Sequence, residues 1–364
     1  MQRDVTKAGI RGKNWTSSTM NLLASLFSTN VAISLADDAF FFTTVARPVP
    51  IELPAYVAVS RDSGRVLAVG GQAKSMLSRT PDNIEVIRLL EGGVISHKEA
   101  TESLLRFGIT EVVAKGWFRA APRVLVALRT IHNSAPSKCA IKESLTRAGA
   151  REVYLMDIDM ASAIGMGLEV AKPELQAVLT ISNDWFSFAV ISLSGIVTQT
   201  SGAIGTDAFV EDIQNHLFLT RQFRPDAATL ESQLLSSGLD PAALVELAGW
   251  EAWTGRVEQG KFTTQALGRN DFALGMAPSL VRLSERIKAT IRRLPHDQQY
   301  QLQRSPIHAT GSAMRIPGLA QTLSASLGLT VTPHRSNFPP SIEGAKQAIG
   351  EINYLRPVLK NNRS

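Results

Sequence analysis

Short runs of β-branched and aromatic residues, separated by turns, alternate with helical patterns along most of the chain. VAISL (31–35) and AFFFTTVA (39–46) flank an Ala-Asp-Asp turn and predict a hairpin, because Asp tolerates turn backbone and the flanks favour strands. VLTISNDWFSFAVISLSG (178–195) predicts a second hairpin around a Ser-Asn-Asp turn. PRVLVALR (122–129) is a continuous apolar run typical of a buried strand.

Apolar residues at three-to-four spacing predict helices between these strands. The predicted helices cover 72–78, 98–108, 140–150, 159–170, 209–220, 228–238 and 279–294. RVEQGKFTTQALG (256–268) predicts an inserted strand pair with a Gln-Gly turn, and 305–328 predicts a strand, a Gly/Ser turn and a helix. The alternation of strands and helices predicts the α/β class.

The two hairpins repeat one pattern. ISLADDAFFF (33–42) and TISNDWFSF (180–188) each consist of a strand, a turn with acidic or amide residues, and an aromatic strand. Each opens a half of the chain in which more strands are followed by helices. Self-similarity at this long period predicts two related α/β lobes with a cleft between them.

Composition narrows the class of protein. The 364 residues are 44% apolar and 19% charged, which is ordinary for a globular protein. The net charge of +6 is spread without a block of five basic residues, so we expect no nucleic-acid partner. The single cysteine, Cys139, excludes a disulfide framework and favours a reducing, cytoplasmic location. The histidines lack metal-ligand spacing, and no apolar run approaches about 18 residues, the length of a membrane span.

The N-terminal segment combines a basic tail with an amphipathic pattern. In NWTSSTMNLLASLF (14–27) the apolar residues, Trp15, Leu23 and Phe27 among them, fall on one helical face. Such a segment is typical of a helix lying in a membrane interface, and equally of a helix docked on its own core.

Five stretches of the body resemble the bacterial actin homologue MreB, the rod-shape-determining family. They are AVGGQAKSMLSRTPDNIEVIRLLEGGVI (68–95), PRVLVAL (122–128), AIKESLTRAGAREVYL (140–155), MASAIGMGLEVAKP (160–173) and AVISLSGIV (189–197). The resemblance runs from Leu26 to about Leu355. It implies the actin-like fold, an α/β fold of two lobes with duplicated βββαβαβα cores around a central cleft that holds ATP and Mg²⁺. The implied division is a tail and helix at 1–30, lobe I at 31–159 plus 335–356, and lobe II at 160–334.

The sequence departs from this family in its nucleotide loops. Asp-Leu-Gly-Thr of the first hairpin is replaced by residues 34–37, and Asp-Ile-Gly-Gly-Gly-Thr-Thr of the second by 180–186. The adenosine loop Thr-Gly-Gly-Gly corresponds to 310–313 and the Glu-Glu-Pro motif to 157–159. Ser34 and Thr180 therefore replace carboxylates that would hold hydrated Mg²⁺. Ile158 replaces the glutamate that orients the attacking water, so no catalytic residue is predicted.

The resemblance also assigns positions that would face ATP. They are Asp37, Asp38, Asn183, Asp184, Asp207, Gly311, Ser312 and Ala313, with no metal ligand among them. Bulky side chains at 183–186 fill space that phosphate needs. Asp184 also adds a negative charge, which would repel phosphate. Gly205 and Gly311 could instead serve turns, and Asp207 could be the N-cap of the helix that follows. Gly344 and Lys346 correspond to the adenine side of the cleft.

The implied function is that of a membrane-associated cytoskeletal protein. GWFRAAPRV (116–124) corresponds to the family's membrane-touching loop, so Trp117 and Phe118 would enter lipid or form a partly buried pair. We expect a protein that forms or modifies filaments at the inner membrane, with ATP binding and hydrolysis lost or weakened. Its partners would be itself or an MreB-type paralogue, and cell-wall elongation proteins. The alternatives are a working ATPase with drifted loops and a membrane adaptor that does not polymerise.

Overall fold

The computed structural model describes residues 28–36, 39–77, 79–91, 94–95, 97–113, 120–129, 135–239, 244–251 and 261–351. Several residues singled out in the sequence lie outside these ranges: Trp15, Leu23, Phe27, Asp37, Asp38, Trp117 and Phe118. The predictions made for them therefore stay predictions. No helix in the described part of the chain is both long enough and apolar enough to cross a bilayer.

The described residues form strands and helices in the order that the pattern predicts for two α/β units. The strands are β1 Ser28–Ala36, β2 Ala39–Thr44, β3 Ile51–Pro54, β4 Tyr56–Ser60, β5 Val66–Val69, β6 Ile84–Arg88, β7 Leu90–Glu91, β8 Val94–Ile95, β9 Ala120–Leu128, β10 Glu152–Asp157, β11 Gln176–Ile181, β12 Phe186–Ser192, β13 Gly195–Gly202, β14 Phe223–Pro225, β15 Leu244–Glu251, β16 Lys261–Gly268, β17 Ile307–Thr310 and β18 Val331–Pro333. The helices are α1 Gly71–Ser75, α2 Lys98–Val112, α3 Ala135–Arg147, α4 Ile158–Gly165, α5 Thr206–Arg221, α6 Ala227–Ser236, α7 Arg269–Ile291, α8 His296–Gln303, α9 Leu319–Leu327 and α10 Pro340–Gly350.

Two five-stranded sheets share one topology. In the first, the order is β3-β2-β1-β9-β10, with β1–β2 and β2–β3 antiparallel and β1–β9 and β9–β10 parallel. In the second, the order is β13-β12-β11-β17-β18 with the same sequence of orientations. We call the units built on these sheets the first and the second lobe. The duplication expected from the two similar hairpins is therefore present as sheet topology.

The lobes meet through a shared apolar cluster. Strands of both sheets contribute to it, together with α4 and α10. The two helices cross so closely that a Cβ atom added to Gly344 would overlap the carbonyl oxygen of Ala161, and one added to Gly165 would overlap that of Pro340. Because only glycine permits such an approach, these residues fix how α10, the last described helix, packs against α4.

Most predicted elements are found with small shifts of their ends, and the larger differences concern α7, α4 and β16. Helix α7 begins at Arg269, ten residues before the predicted start, since Pro278 lies inside the helix instead of opening it. Helix α4 ends at Gly165, five residues before the predicted end, and is followed by a turn at 166–167. Strand β16 pairs with β15, a strand that the pattern did not predict, with Glu251 opposite Lys261. The Gln-Gly turn predicted at 259–260 lies outside the described residues.

Candidate functional site

The loops that the resemblance assigns to the nucleotide lie at the carboxyl ends of the parallel strands, where α/β sheets usually bind ligands. Thr180 of β11 pairs with Thr310 of β17, and Ser34 of β1 pairs with Ala127 of β9. Ser34 is buried, and its Oγ lies 2.6 Å from Oγ of Ser341 in α10. A neutral hydroxyl pair therefore occupies a position where the family resemblance would place a carboxylate.

The turn of the second hairpin, residues 182–185, uses its polar backbone internally. The amide of Ser182 donates to the carbonyl of Trp185 over 2.8 Å. The first amides of α5 also donate to this turn, Thr206 N to Ser182 O at 3.1 Å and Asp207 N to Asn183 O at 2.8 Å. These helix N-terminal amides, which would suit an anion, already have acceptors within the chain.

Gly205 and Asp207 lie at the start of helix α5. A Cβ atom on Gly205 would overlap the carbonyl oxygens of Asn183 and Ser182, so this glycine lets α5 abut the turn. Gly205 is also the N-cap of α5. The suggestion that Asp207 is the N-cap is wrong, because Asp207 is the second residue of the helix and its side chain is exposed.

Arg129 enters the site from the first lobe, directly after β9. It is only 3% exposed. Its Nη2 lies 3.5 Å from Oδ1 of Asp184, and its guanidinium lies over the ring of buried Trp185, 4.3 Å from the centroid. Stacking on an aromatic face and pairing with a carboxylate are both favourable contacts for a guanidinium. We call these three residues the Arg129 clamp; they join the first lobe to the second hairpin.

The adenosine loop is tied to the same turn. Ser312 Oγ donates to Asn183 Oδ1 over 2.6 Å. Gly311 has φ of 103°, and a Cβ atom there would overlap the carbonyl oxygen of Ile181, so both conformation and space require glycine. Ala313 is fully buried in the core of the second lobe, and its methyl group packs there. Asn183, Asp184, Gly311 and Ser312 are thus brought together.

The turn from β10 into α4 carries the three residues that correspond to the family's Glu-Glu-Pro. Asp157 caps α4, its Oδ1 accepting the amide of Asp159 at 2.9 Å. Ile158 is buried in the apolar cluster between the lobes. Asp159 is fully buried, and the hydroxyls of Thr180 and Ser187 and the amide of Gln199 donate to its carboxylate.

Burial, and secondly the negative charge of Asp157, raise the pKa of Asp159 to about 7. Asp159, Gln199 and Arg129 were not predicted as site residues. The sequence did contain a signal for Arg129, since it directly follows a buried apolar strand. A charge in such a place needs a partner, which would have marked it as a candidate site residue. Gln199 lies within a Thr-rich strand and carries no such signal in the sequence.

A cavity of about 690 Å³ lies beside the adenosine loop. Phe41 and Glu52 line it from the first lobe, while Gly311 and Ser312 line it from the second. His334, Arg335 and Arg315 add positive or titratable groups to its wall. Lys346 is not among its lining residues and lies 3.4 Å from Glu343, while Gly344 serves the crossing of α4 and α10.

The residues present do not fit a magnesium triphosphate. Ser34 and Thr180 offer hydroxyls that are engaged within the chain, and the hairpin turn has Asp184 in an ion pair with Arg129. No group of three or more His, Cys, Asp or Glu in the described ranges could hold a metal ion. A phosphate entering here would meet a carboxylate at short range, and like charges about 4 Å apart repel by roughly 1 kcal/mol even in water.

Comparison with known proteins gives consistent results. The family model described as MreB/Mbl protein matches residues 29–356. The cell shape-determining protein Mbl of Bacillus subtilis (strain 168) is 35% identical over 192 residues, 53% of this chain and 57% of that protein. MreB of Escherichia coli (strain K12) is 37% identical over 196 residues, 53% of this chain and 56% of that protein. The chain thus spans just over half the length of these curated relatives.

Solved structures share the fold across nearly the whole chain. MreB5 of Spiroplasma citri bound to AMPPNP superposes with a TM-score of 0.78 at 17% identity, covering 92% of this chain and 99% of that chain. The MamK double helical filament gives a TM-score of 0.70 at 15% identity, covering 89% of this chain and 99% of that chain.

Proposed function

Because the chain belongs to the MreB/Mbl family, we propose that it is an actin-like cell-shape protein that forms or modifies filaments without a catalysed ATP cycle. The family and the actin-like, two-lobe fold support the cell-shape role. MamK, a neighbour in fold, is described as a double helical filament, which supports self-association of this chain. A paralogue of MreB type would be an alternative filament partner.

The Arg129 clamp is the observation that carries the reduced role for ATP. In this family the second hairpin would present open backbone to phosphate, whereas here Asp184 pairs with a nearly buried arginine at that hairpin. Triphosphate would have to displace the carboxylate and the stacked indole, and would then lack carboxylates for its metal. Hydrolysis would also lack its water-orienting glutamate, because Ile158 is packed in the apolar cluster.

The cavity beside Gly311 and Ser312 favours a second candidate, an ATP-binding protein of MreB type with drifted loops. MreB5 structures bound to AMPPNP and to ADP are consistent with that reading of the family. In this case the adenosine end would bind in the cavity and the Arg129 clamp would open. The two candidates therefore differ in whether the clamp yields to nucleotide.

Membrane association, cell-wall partners and the lobe boundaries belong to the same proposal. Trp15, Leu23 and Phe27 on the N-terminal segment, with Trp117 and Phe118 in the later loop, would contact lipid at the inner membrane. Weak anchors repeated along a filament would bind by avidity.

The proposed boundaries are 31–159 with 335–356 for the first lobe and 160–334 for the second.

Calorimetry with ATP and Mg²⁺, together with a phosphate-release assay, tests the nucleotide part. We expect a Kd weaker than about 100 μM, that is, less than roughly 5.5 kcal/mol of binding free energy, and no magnesium-dependent release. Asp184→Asn should bind ATP more tightly than the parent, because a like charge is removed. Glu169→Gln, which alters an exposed ion pair with Lys172, is the matched control. Tight binding and turnover by the parent chain would favour the drifted-loop ATPase.

Sedimentation tests the filament part separately. The chain would be centrifuged alone, with vesicles containing anionic lipid, and with an MreB partner, each with and without ATP. We expect pelleting without vesicles, either of the chain alone or with the MreB partner, and no dependence on ATP. Failure to pellet in every mixture would overturn the filament proposal, and pelleting only with vesicles would point to a membrane adaptor that does not polymerise.

A further inference from the structure

The buried carboxyl group of Asp159 joins the two lobes. Asp159 lies in the first turn of α4, immediately after the first-lobe strand β10. Its side chain contacts three neighbouring strands of the second lobe. Gln199 Nε2 of β13 donates to Oδ2 over 2.7 Å, Thr180 Oγ1 of β11 lies 3.5 Å from Oδ1, and Ser187 Oγ of β12 donates to Oδ2.

Gln199 also connects Asp159 to a second carboxyl group. Its Nε2 lies 3.2 Å from each carboxylate oxygen of Asp157. One amide therefore stands between two acidic groups, one of them fully buried. Two neighbouring carboxylates do not both ionise easily away from water, because desolvation and mutual repulsion disfavour the second charge.

Other charged groups on the packed elements are engaged elsewhere. On α10, Lys346 lies 3.4 Å from Glu343, and at the far end of β9 and β10, Arg123 lies 3.6 Å from Glu152. Arg129, after β9, faces Asp184. β11, β12 and β13 carry no Asp, Glu, Lys, Arg or His. Burial first, and then the charge of Asp157, therefore raise the pKa of Asp159 to about 7, while the hydrogen bonds from Ser187, Gln199 and Thr180 act in the opposite direction.

We propose that Asp159 is a proton-controlled junction between the lobes: its neutral carboxyl keeps the start of α4 docked on β11–β13, and its ionisation loosens this contact. The junction would let pH near neutrality bias the relative position of the lobes. It involves neither the Arg129 clamp nor any nucleotide, so it stands or falls independently of the proposed function.

The direction of the pH effect follows from the pKa shift. The pKa of Asp159 is raised in the folded protein from 3.8 to about 7, so the folded state binds the proton more tightly than an opened, hydrated state does. The stabilisation is fully present below the lower value and is lost as pH rises through the higher one. Between these values opening should become easier by up to about tenfold per pH unit, and then level off.

Hydrogen exchange measured between about pH 5 and pH 8, with rates corrected for base catalysis, tests this junction. In the parent chain, protection of peptides covering 157–165 and 195–202 should fall as pH rises and become level above about 7. Peptides of α7 should show no such trend. Asp159→Asn should keep protection at the junction independent of pH. Asp226→Asn is the matched control, because the pKa of Asp226 is lowered, mainly by the amide of Thr229.

Equal pH slopes for the parent and Asp159→Asn would overturn the proposal. Gln199→Met provides a second test if Asp159→Asn does not fold. Loss of the amide donor disfavours the ionised carboxyl further, so the pH at which junction protection levels off should move upward. An unchanged levelling point in Gln199→Met would also overturn the proposal.

Discussion

Arg129 shows how one side chain can join two lobes. A nearly buried guanidinium is costly unless its charge is matched, and here Asp184 and the Trp185 ring lie against it. The carboxylate thereby stands close to where the family resemblance places an anionic ligand. The contact links two lobes through side chains of the protein itself.

Asp184→Asn is expected to lower the free energy of unfolding by about 3 kcal/mol, because it leaves a buried cation without this counter-charge. Urea denaturation of Asp184→Asn, of Arg129→Met and of the double variant gives the coupling energy between the two side chains. We expect the double variant to lose less stability than the sum of the singles. Additive losses, within about 0.5 kcal/mol, would contradict a direct interaction.

Gly311→Ala is expected to destabilise the protein more than Gly149→Ala does. Both glycines have positive φ, 103° and 110°. Only Gly311 has a neighbour that an added Cβ would overlap, the carbonyl oxygen of Ile181, whereas nothing lies within 4 Å at Gly149. Each variant stores backbone strain of about 1–3 kcal/mol, and the overlap adds to it in Gly311→Ala alone. Thermal unfolding compares them, and equal losses would contradict the close approach.

At the scale of elements, the crossing of α4 and α10 holds the inner faces of the lobes together. The helices approach at Gly165 and Gly344, and their other faces belong to the apolar cluster that both sheets share. Helix α4 also begins at the Asp157 cap and carries Asp159. A shift of α4 would therefore alter both the cluster and the junction with β11–β13.

Gly344→Ala is expected to cost several times more stability than an ordinary glycine-to-alanine change, because the methyl group would overlap the carbonyl oxygen of Ala161 within a packed crossing. Gly71→Ala, at the start of α1 with no atom within 4 Å, is the matched control and should be neutral or slightly stabilising. Chemical denaturation of both variants measures the difference. A neutral Gly344→Ala would show that the crossing can relax.

At the scale of the whole molecule, two sheets of the same topology enclose a cleft that the chain itself partly fills. The Arg129 clamp, the contact between Ser312 and Asn183, and the junction at Asp159 all lie along this cleft. The Arg129 clamp and the contact between Ser312 and Asn183 connect loops that the family resemblance assigns to the nucleotide, whereas the junction at Asp159 connects a helix to strands. The conformation of the residues that line the cleft should therefore depend little on added nucleotide.

ATP with Mg²⁺ is accordingly expected to raise the melting temperature only slightly. For a Kd weaker than about 100 μM, about 1 mM ATP contributes at most about 1.4 kcal/mol. For a chain of 364 residues, that stabilisation corresponds to at most about 2 °C. Differential scanning fluorimetry measures the shift, with Mg²⁺ alone as the blank and MreB5 of Spiroplasma citri, whose structures contain AMPPNP or ADP, as the positive control. A clearly larger rise in melting temperature would contradict the inference that protein side chains occupy the phosphate position.

The order of elements and the duplicated halves were predictable from the sequence, because periodicity and turn residues are local properties. The hairpins at 31–46 and 178–195 and the buried strand at 122–129 are confirmed by β1–β2, β11–β12 and β9. The early start of α7 was missed because Pro278 lies within it, and β15 was missed because its strand depends on pairing with β14 and β16.

The sequence also shows that the loops which the resemblance assigns to the nucleotide lack the family's glycines and carboxylates, since residue type alone limits which groups can face a phosphate. What replaces them depends on contacts between distant residues. Arg129 reaches Asp184 across 55 positions, and Gln199 reaches Asp159 across 40. Only the docking of the two lobes brings these side chains together and removes water from them. The tertiary structure alone therefore decides that Asp184 is held in an ion pair and that Asp159 gains its proton affinity.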